Sequence, residues 1–69
     1  MLLIKIRQEY MLVRIDNDTR KSLVLTLLDE YDIEVTEVHQ NKERYLKIEK
    51  DKTHKALFIL SFNYDIEII

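Results

Sequence analysis

The chain has no glycine, no proline and no cysteine among its 69 residues. At ordinary usage, about eight glycines and prolines together would be expected at this length. Every tight turn must therefore be made by other residues, with Asn and Asp first in line for left-handed backbone. Phosphate-cradling loops need glycine so that the backbone can approach the ligand, so Walker-type and dinucleotide-binding loops are excluded. The glycine-flanked serine elbow is excluded on the same ground. Without cysteine there is no disulfide and no thiolate zinc site, and His39 and His54 are too few for a histidine-rich one. A cysteine-free chain suits a reducing compartment, and a cytoplasmic location is the expectation. No apolar run approaches the roughly 20 residues of a membrane helix, and MLLIKIRQE is not a signal peptide. A soluble, unprocessed chain is expected, with no cofactor and no membrane partner. The net charge of −2 implies no particular partner.

What the chain does have is a repeat. Thr19-Arg20-Lys21-Ser22-Leu23 returns 34 positions later as Thr53-His54-Lys55-Ala56-Leu57. Each copy runs through an apolar stretch into the same ending, Tyr31-Asp32-Ile33-Glu34-Val35 and then Tyr64-Asp65-Ile66-Glu67-Ile68, now offset by 33. One residue near Glu30 thus has no counterpart. Repeats of this period mark duplicated supersecondary units. The chain is read as one domain, 1–69, with copies at about 10–35 and 45–69.

Alternation of apolar and polar residues predicts strands over Met1–Arg7 and Tyr10–Ile15, with Gln8-Glu9 as the turn between them. A single bent strand over 1–15 is the alternative. Asp16-Asn17-Asp18-Thr19 is a helix-start signal. Leu23, Val24, Leu27, Leu28 and Tyr31 then form a helical stripe that only Leu25 interrupts. Ile33–His39 and Arg44–Lys50 read as strands around a turn at Gln40–Glu43, with Asn41 as its left-handed residue. Asp51 and Thr53 are expected to cap a second helix to Asn63, and Asp65–Ile69 is the last strand. ALFILSF is apolar on nearly every side, and its helix assignment rests on the repeat. The order β–β–α–β–β–α–β makes the chain α+β. Without its first strand it resembles the ferredoxin-like arrangement, two helices on one face of an antiparallel sheet. Fold alone assigns no function.

No catalytic constellation is evident, and a non-enzymatic protein is expected. His54 stands where the first copy has Arg20, as a solvated position would, and His39 ends a strand beside a polar turn. Ser22 and Ser61 have no evident base. Asp16-Asn17-Asp18 begins like a calcium loop but lacks the later glycine and the final glutamate, so capping explains it better. Asp32-Glu34 and Asp65-Glu67 flank isoleucines, as the wet face of a strand would.

Two binding surfaces are candidates. The second helix carries more apolar residues than one buried face can hold, and Leu25 is apolar where the pattern expects polarity. Leu25, Phe58, Ile59 and Phe62 are therefore the candidate protein-binding residues, with a homodimer expected. The alternative is nucleic acid on a sheet face carrying Tyr10, Arg14, Tyr45 and Lys47, as RNA-binding sheets stack bases and hold phosphates. Glu43, Glu49 and Asp51 interrupt its basic cluster, and the aromatic–glycine signature of those modules is absent. A regulatory domain binding a small ligand between subunits is a third reading, disfavoured by the lack of glycine at turns. The expected function is that of a small protein-binding regulator or inhibitor, working through a sheet edge or the second helix. Small isolated domains of that kind are often encoded by phages or mobile elements.

Overall fold

The computed structural model describes residues 1–69. Its elements are β1 (Leu2–Ile6), β2 (Tyr10–Ile15), α1 (Asp18–Glu30), β3 (Thr36–Gln40), β4 (Glu43–Glu49), a 3-10 turn (Lys50–Lys52), α2 (Thr53–Asn63) and β5 (Ile66–Ile68). They form a small α+β domain of two helices on a five-stranded, mostly antiparallel sheet in the order β3-β4-β2-β1-β5. The first strand is not an appendage. It is wedged between β2, to which it is antiparallel, and β5, to which it is parallel. Removing it and closing β2 onto β5 gives the antiparallel ferredoxin-like order, so the fold is that arrangement widened by one inner strand. Leu2 and Ile4 lie on the face of this strand that the helices cover and are buried in the core.

Local chemistry explains the elements. The Asn17 side chain caps α1, its Oδ1 accepting from the Arg20 amide at 2.7 Å. At the other end of α1, Asp32 takes φ 58°, where glycine would be usual. Its amide donates to the Asp29 carbonyl and the Ile33 amide to the Leu28 carbonyl, which closes a Schellman motif. Ile33 and Leu28 are both in the core, as that motif's apolar contact requires. The second copy has no such exit: Tyr64 is extended, and its amide donates to the Leu60 carbonyl. The extra residue in the first copy accompanies this left-handed exit.

That exit shifts the third strand. Ile33 was expected inside it, but Ile33 serves as a core plug and the ladder starts at Thr36. The hairpin that follows has Asn41 at φ 50° and Lys42 at φ 68°, the type I′ pattern. Asn41 is the expected left-handed residue; Lys42 is a second one, at a cost of about 1–2 kcal/mol for a residue with a Cβ. The β1–β2 turn runs through Gln8 and Glu9 and is closed by the Arg7 amide on the Tyr10 carbonyl, so two strands form rather than one bent one.

The second helix forms where the repeat placed it, but its cap differs. Neither Asp51 nor Thr53 caps it through a side chain. The 3-10 turn feeds the helix directly, and the Thr53 hydroxyl donates back to the Glu49 carbonyl. At the far end, Ser61 Oγ and Asn63 Nδ2 donate to the carbonyls of Phe58 and Ile59. Both are back-bonds from side chains of the last turn to carbonyls of the turn before it.

One core of thirteen residues lies between helices and sheet, built from Leu2, Ile4, Met11, Val13, Ile15, Val24, Leu28, Ile33, Leu46, Ile48, Ala56, Ile59 and Leu60. The α1 stripe is narrower than its periodicity suggests. Val24 and Leu28 are buried, Leu27 is half-buried, and Leu23 and Tyr31 are exposed. No helix is long and apolar enough to cross a membrane.

Candidate docking surface on the second helix

The two helices run antiparallel and are braced at both ends through the repeat-related tyrosines, Tyr31 and Tyr64. Lys55 Nζ donates to the Tyr31 carbonyl at 3.0 Å, and the Arg20 guanidinium lies 5.4 Å from the Tyr64 ring centroid. Each copy thus supplies the cation that meets the other copy's tyrosine. Lys55 also compensates α1, whose last turn has no basic residue and is followed by the acidic Asp32 and Glu34. A cation there interacts favourably with the helix dipole.

This bracing decides which apolar residues of α2 remain outside. Ala56, Ile59 and Leu60 face the core and Leu57 is half-buried. Phe58 is 65% and Phe62 77% exposed. Four residues apart on one helix, they share a face. Their rings meet edge to face with centroids 5.2 Å apart. Together with Tyr31, Lys55, Ile59 and Asn63 they line a groove of about 500 Å³. α2 has no acidic residue. Lys55 is the one charged residue that lines the groove.

Of the four protein-binding residues nominated from sequence, Phe58 and Phe62 thus lie together in the open. Ile59 is only 7% exposed and belongs to the core, contributing one wall of the groove. Leu25 is half-buried against the core and lines a separate depression with Thr26, Asp29, Ile33, Glu34 and Val35. Tyr31, which was assigned to the buried stripe, is the groove residue that sequence reasoning missed. As the C-cap, it sits where the chain leaves the helix.

The nominated nucleic-acid residues do converge, on the sheet face opposite the helices. Tyr10, Arg14, Tyr45 and Lys47 share that face by register. Each is engaged within the chain. Lys47 Nζ stands 5.1 Å from the Tyr10 ring centroid and Lys5 Nζ 4.9 Å from that of Tyr45. Arg14 makes a two-bond fork to Glu43 at 3.0 and 3.2 Å. Tyr45 is only 3% exposed, so its ring is not an open stacking platform.

A third cluster ties α1 to the β3–β4 hairpin. Glu37 accepts from Lys21 Nζ at 2.7 Å and from Arg44 Nε at 3.2 Å, while an Arg44 terminal nitrogen reaches Asp18 at 2.9 Å. The Lys21 bond pulls the Glu37 carboxyl below its ordinary pKa; partial desolvation opposes this, and Arg44 adds to the lowering. The Arg44 guanidinium is pushed up, first by Asp18 and then by Glu37, so it stays charged throughout. A carboxylate lowered on folding stabilises above its unfolded pKa, and that contribution is lost as pH falls through the folded value. Stability is therefore expected to decline as pH drops below the ordinary glutamate range. Urea titrations over that range check this, with Glu37→Gln flattening the acid limb; an unchanged slope in the variant would remove Glu37 from the cause. His39 Nε2 lies 3.8 Å from Glu37 and is itself exposed, as its strand-end position suggested. No group of three or more His, Cys, Asp or Glu is placed to hold a metal ion.

Set against known proteins, the chain matches no family model, no curated protein and no solved structure.

Proposed function

We infer that the chain is a non-enzymatic docking protein that regulates or inhibits a protein partner through the exposed face of α2. The observation that carries this reading is the Phe58–Phe62 pair beside its groove, two aromatic rings left in water by a helix that already buries Ala56, Ile59 and Leu60. Aromatic anchors next to a pocket dominate the energetics of protein interfaces. The surface is apolar at its centre and basic at its edge. The complementary occupant is an amphipathic helical segment with apolar anchors one turn apart and an acidic residue for Lys55. Nucleic acid on the opposite sheet face draws less support, because the groups that would stack or hold phosphate are engaged by Lys5, Tyr10 and Glu43.

Selection from a displayed library of helical peptides tests the reading. Enriched sequences are expected to pair apolar residues at helical spacing with Asp or Glu. The double variant Phe58→Ala/Phe62→Ala is expected to lose at least about 30-fold in affinity for them, equivalent to about 2 kcal/mol. Its circular dichroism melt should stay close to the parent's, since both rings are exposed. Enrichment that ignores the two substitutions, or no enrichment at all, would sink the proposal.

A further inference from the structure

We propose that β3, the outer strand of the sheet far from β5, is a self-pairing edge through which two copies of the chain join antiparallel into one continuous sheet. Two residues of β3 have free main-chain groups. Gln40 and Glu43 flank a two-residue type I′ loop, and such a closing pair exchanges both of its hydrogen bonds. By alternation, Thr36 and Val38 also bond to β4, across from Lys47 and Tyr45. The amides and carbonyls of Glu37 and His39 then point away from the sheet.

In the register where both free residues bond a second copy, Glu37 lies opposite His39 of the partner, twice, about a twofold axis through Val38. Val38 meets its own mate, and Thr36 meets Gln40. Carboxylate faces imidazole in each bonded pair, so an imidazole N–H of one copy can donate to the Glu37 carboxylate of the other, beside the Lys21 and Arg44 that already hold it. Slipping the register by two sets Glu37 against Glu37 or His39 against His39, which disfavours it. The side-chain pattern thus selects one register. Several usual guards of an edge are missing as well: β3 has no proline, no lysine and no bulge, and it is a full five residues long; its one inward-facing charge, Glu37, is held by Lys21 and Arg44.

The other edge of the sheet is defended. The β5 strand has three residues, and the Asp65 carbonyl and the Ile69 amide bond to β1, so Ile66 and Ile68 carry the free groups. A copy paired through both would set Glu67 against Glu67, and a slip by two toward the N-terminus would set Glu67 against Asp65; like charges directly opposite are destabilising in both. The slip the other way keeps only the Ile68 pair bonded, too short a contact to join two sheets. The β5 edge thus opposes self-pairing, and the β3 edge fits it. The β3 pairing is independent of the docking face on α2 and leaves Phe58 and Phe62 of both copies open. The dimer would thus present two docking faces.

Sedimentation velocity over a wide concentration series tests the inference. The wild-type chain is expected to show a concentration-dependent dimer. His39→Glu sets two acids against each other in both bonded pairs and is expected to weaken the dimer at least tenfold. Glu37→Lys removes the acceptor carboxylate from both bonded pairs and leaves a lysine facing His39, which is expected to weaken the dimer as well. An equimolar mixture of the two variants is expected to regain dimer, because each mixed pair is again of opposite charge or native. Circular dichroism establishes that each variant is folded, and His39, being exposed, is the safer of the two positions. A wild-type chain that stays monomeric at every concentration overturns the inference. So does a dimer that survives His39→Glu but is lost in Phe58→Ala/Phe62→Ala, which would move the interface to α2.

Discussion

Leu60→Ala is expected to remove about 3 kcal/mol or more of stability, enough to leave much of the population unfolded. Leu60 is fully buried near the middle of the helix–sheet core. Truncating a buried leucine typically costs about 2–5 kcal/mol, the lost transfer energy plus the cavity left behind. At about 0.05–0.15 kcal/mol per residue, a chain of this length holds only about 3–10 kcal/mol in total. It has no disulfide to fall back on. Phe58→Ala, two residues earlier on the same helix, is the control and is expected to stay within about 0.5 kcal/mol of the parent. Urea unfolding followed by circular dichroism separates the two. Equal losses at both positions would mean that α2 does not sit on the sheet by the face described. In the sequence ALFILSF the two positions look alike; only the packing distinguishes them.

The second large effect is expected where no helix lies. Leu12→Ala should destabilise by about 2–3 kcal/mol although Leu12 is on the helix-free face of the sheet. Its exposure is 1%, as low as that of the core residues. The cover comes from long polar side chains. Register sets Lys5 and Lys47 directly on either side of Leu12. Lys5 reaches across β2 to the Tyr45 ring, and Lys47 reaches diagonally to Tyr10. Their aliphatic stems lie on apolar surface while the ammonium groups rest on the aromatic rings, a contact of about 0.5–1 kcal/mol at such sites. The stems can settle partly into the space left by the truncation, so the lower half of the leucine-to-alanine range is expected. Leu23→Ala, on the outer side of α1 where the leucine is exposed, should change little. A Leu12→Ala loss as small as that would mean the lysines do not cover the face in solution. The same cover works against base stacking there, so stability and function draw on one arrangement.

How much of this was legible in the sequence depends on the range over which each feature is determined. Asn17 could be read as part of a cap because the cap bond spans three residues. Asn41 could be read as a turn residue because a two-residue loop carries its own chemistry. The helicity of Thr53–Asn63 was legible through the repeat, but its buried face was not, because the residues aligned with the buried Val24 and Leu28 at an offset of 34 are the exposed Phe58 and Phe62. Reading failed where the two copies diverge. Ile33 and Ile66 occupy matching positions, yet Ile33 follows a left-handed Asp32 and plugs the core, whereas Ile66 enters the ladder beside Leu2. A one-residue difference at a helix exit reorients the segment that follows, and periodicity does not register it. Tyr45 was misjudged for a related reason. Alternation placed it correctly on the outer face, but its burial depends on Lys5, forty positions away in the chain.

By itself, the sequence determined the element order, the α+β class, the duplication and the kinds of turn available to a chain without glycine or proline. These follow from interactions within a few residues and from the match between two copies. The tertiary structure alone decided that β1 is wedged between β2 and β5, that Lys55 and Arg20 each brace the other copy's tyrosine, and that Phe58 and Phe62 are the rings left outside. It also decided that β3 and β5 are the outer strands of the sheet. The physical reason is common to all of these. Which strand lies beside which, and which side chains meet, is settled by closing long loops against competing burial of the same apolar residues, and no local pattern carries the result of that competition.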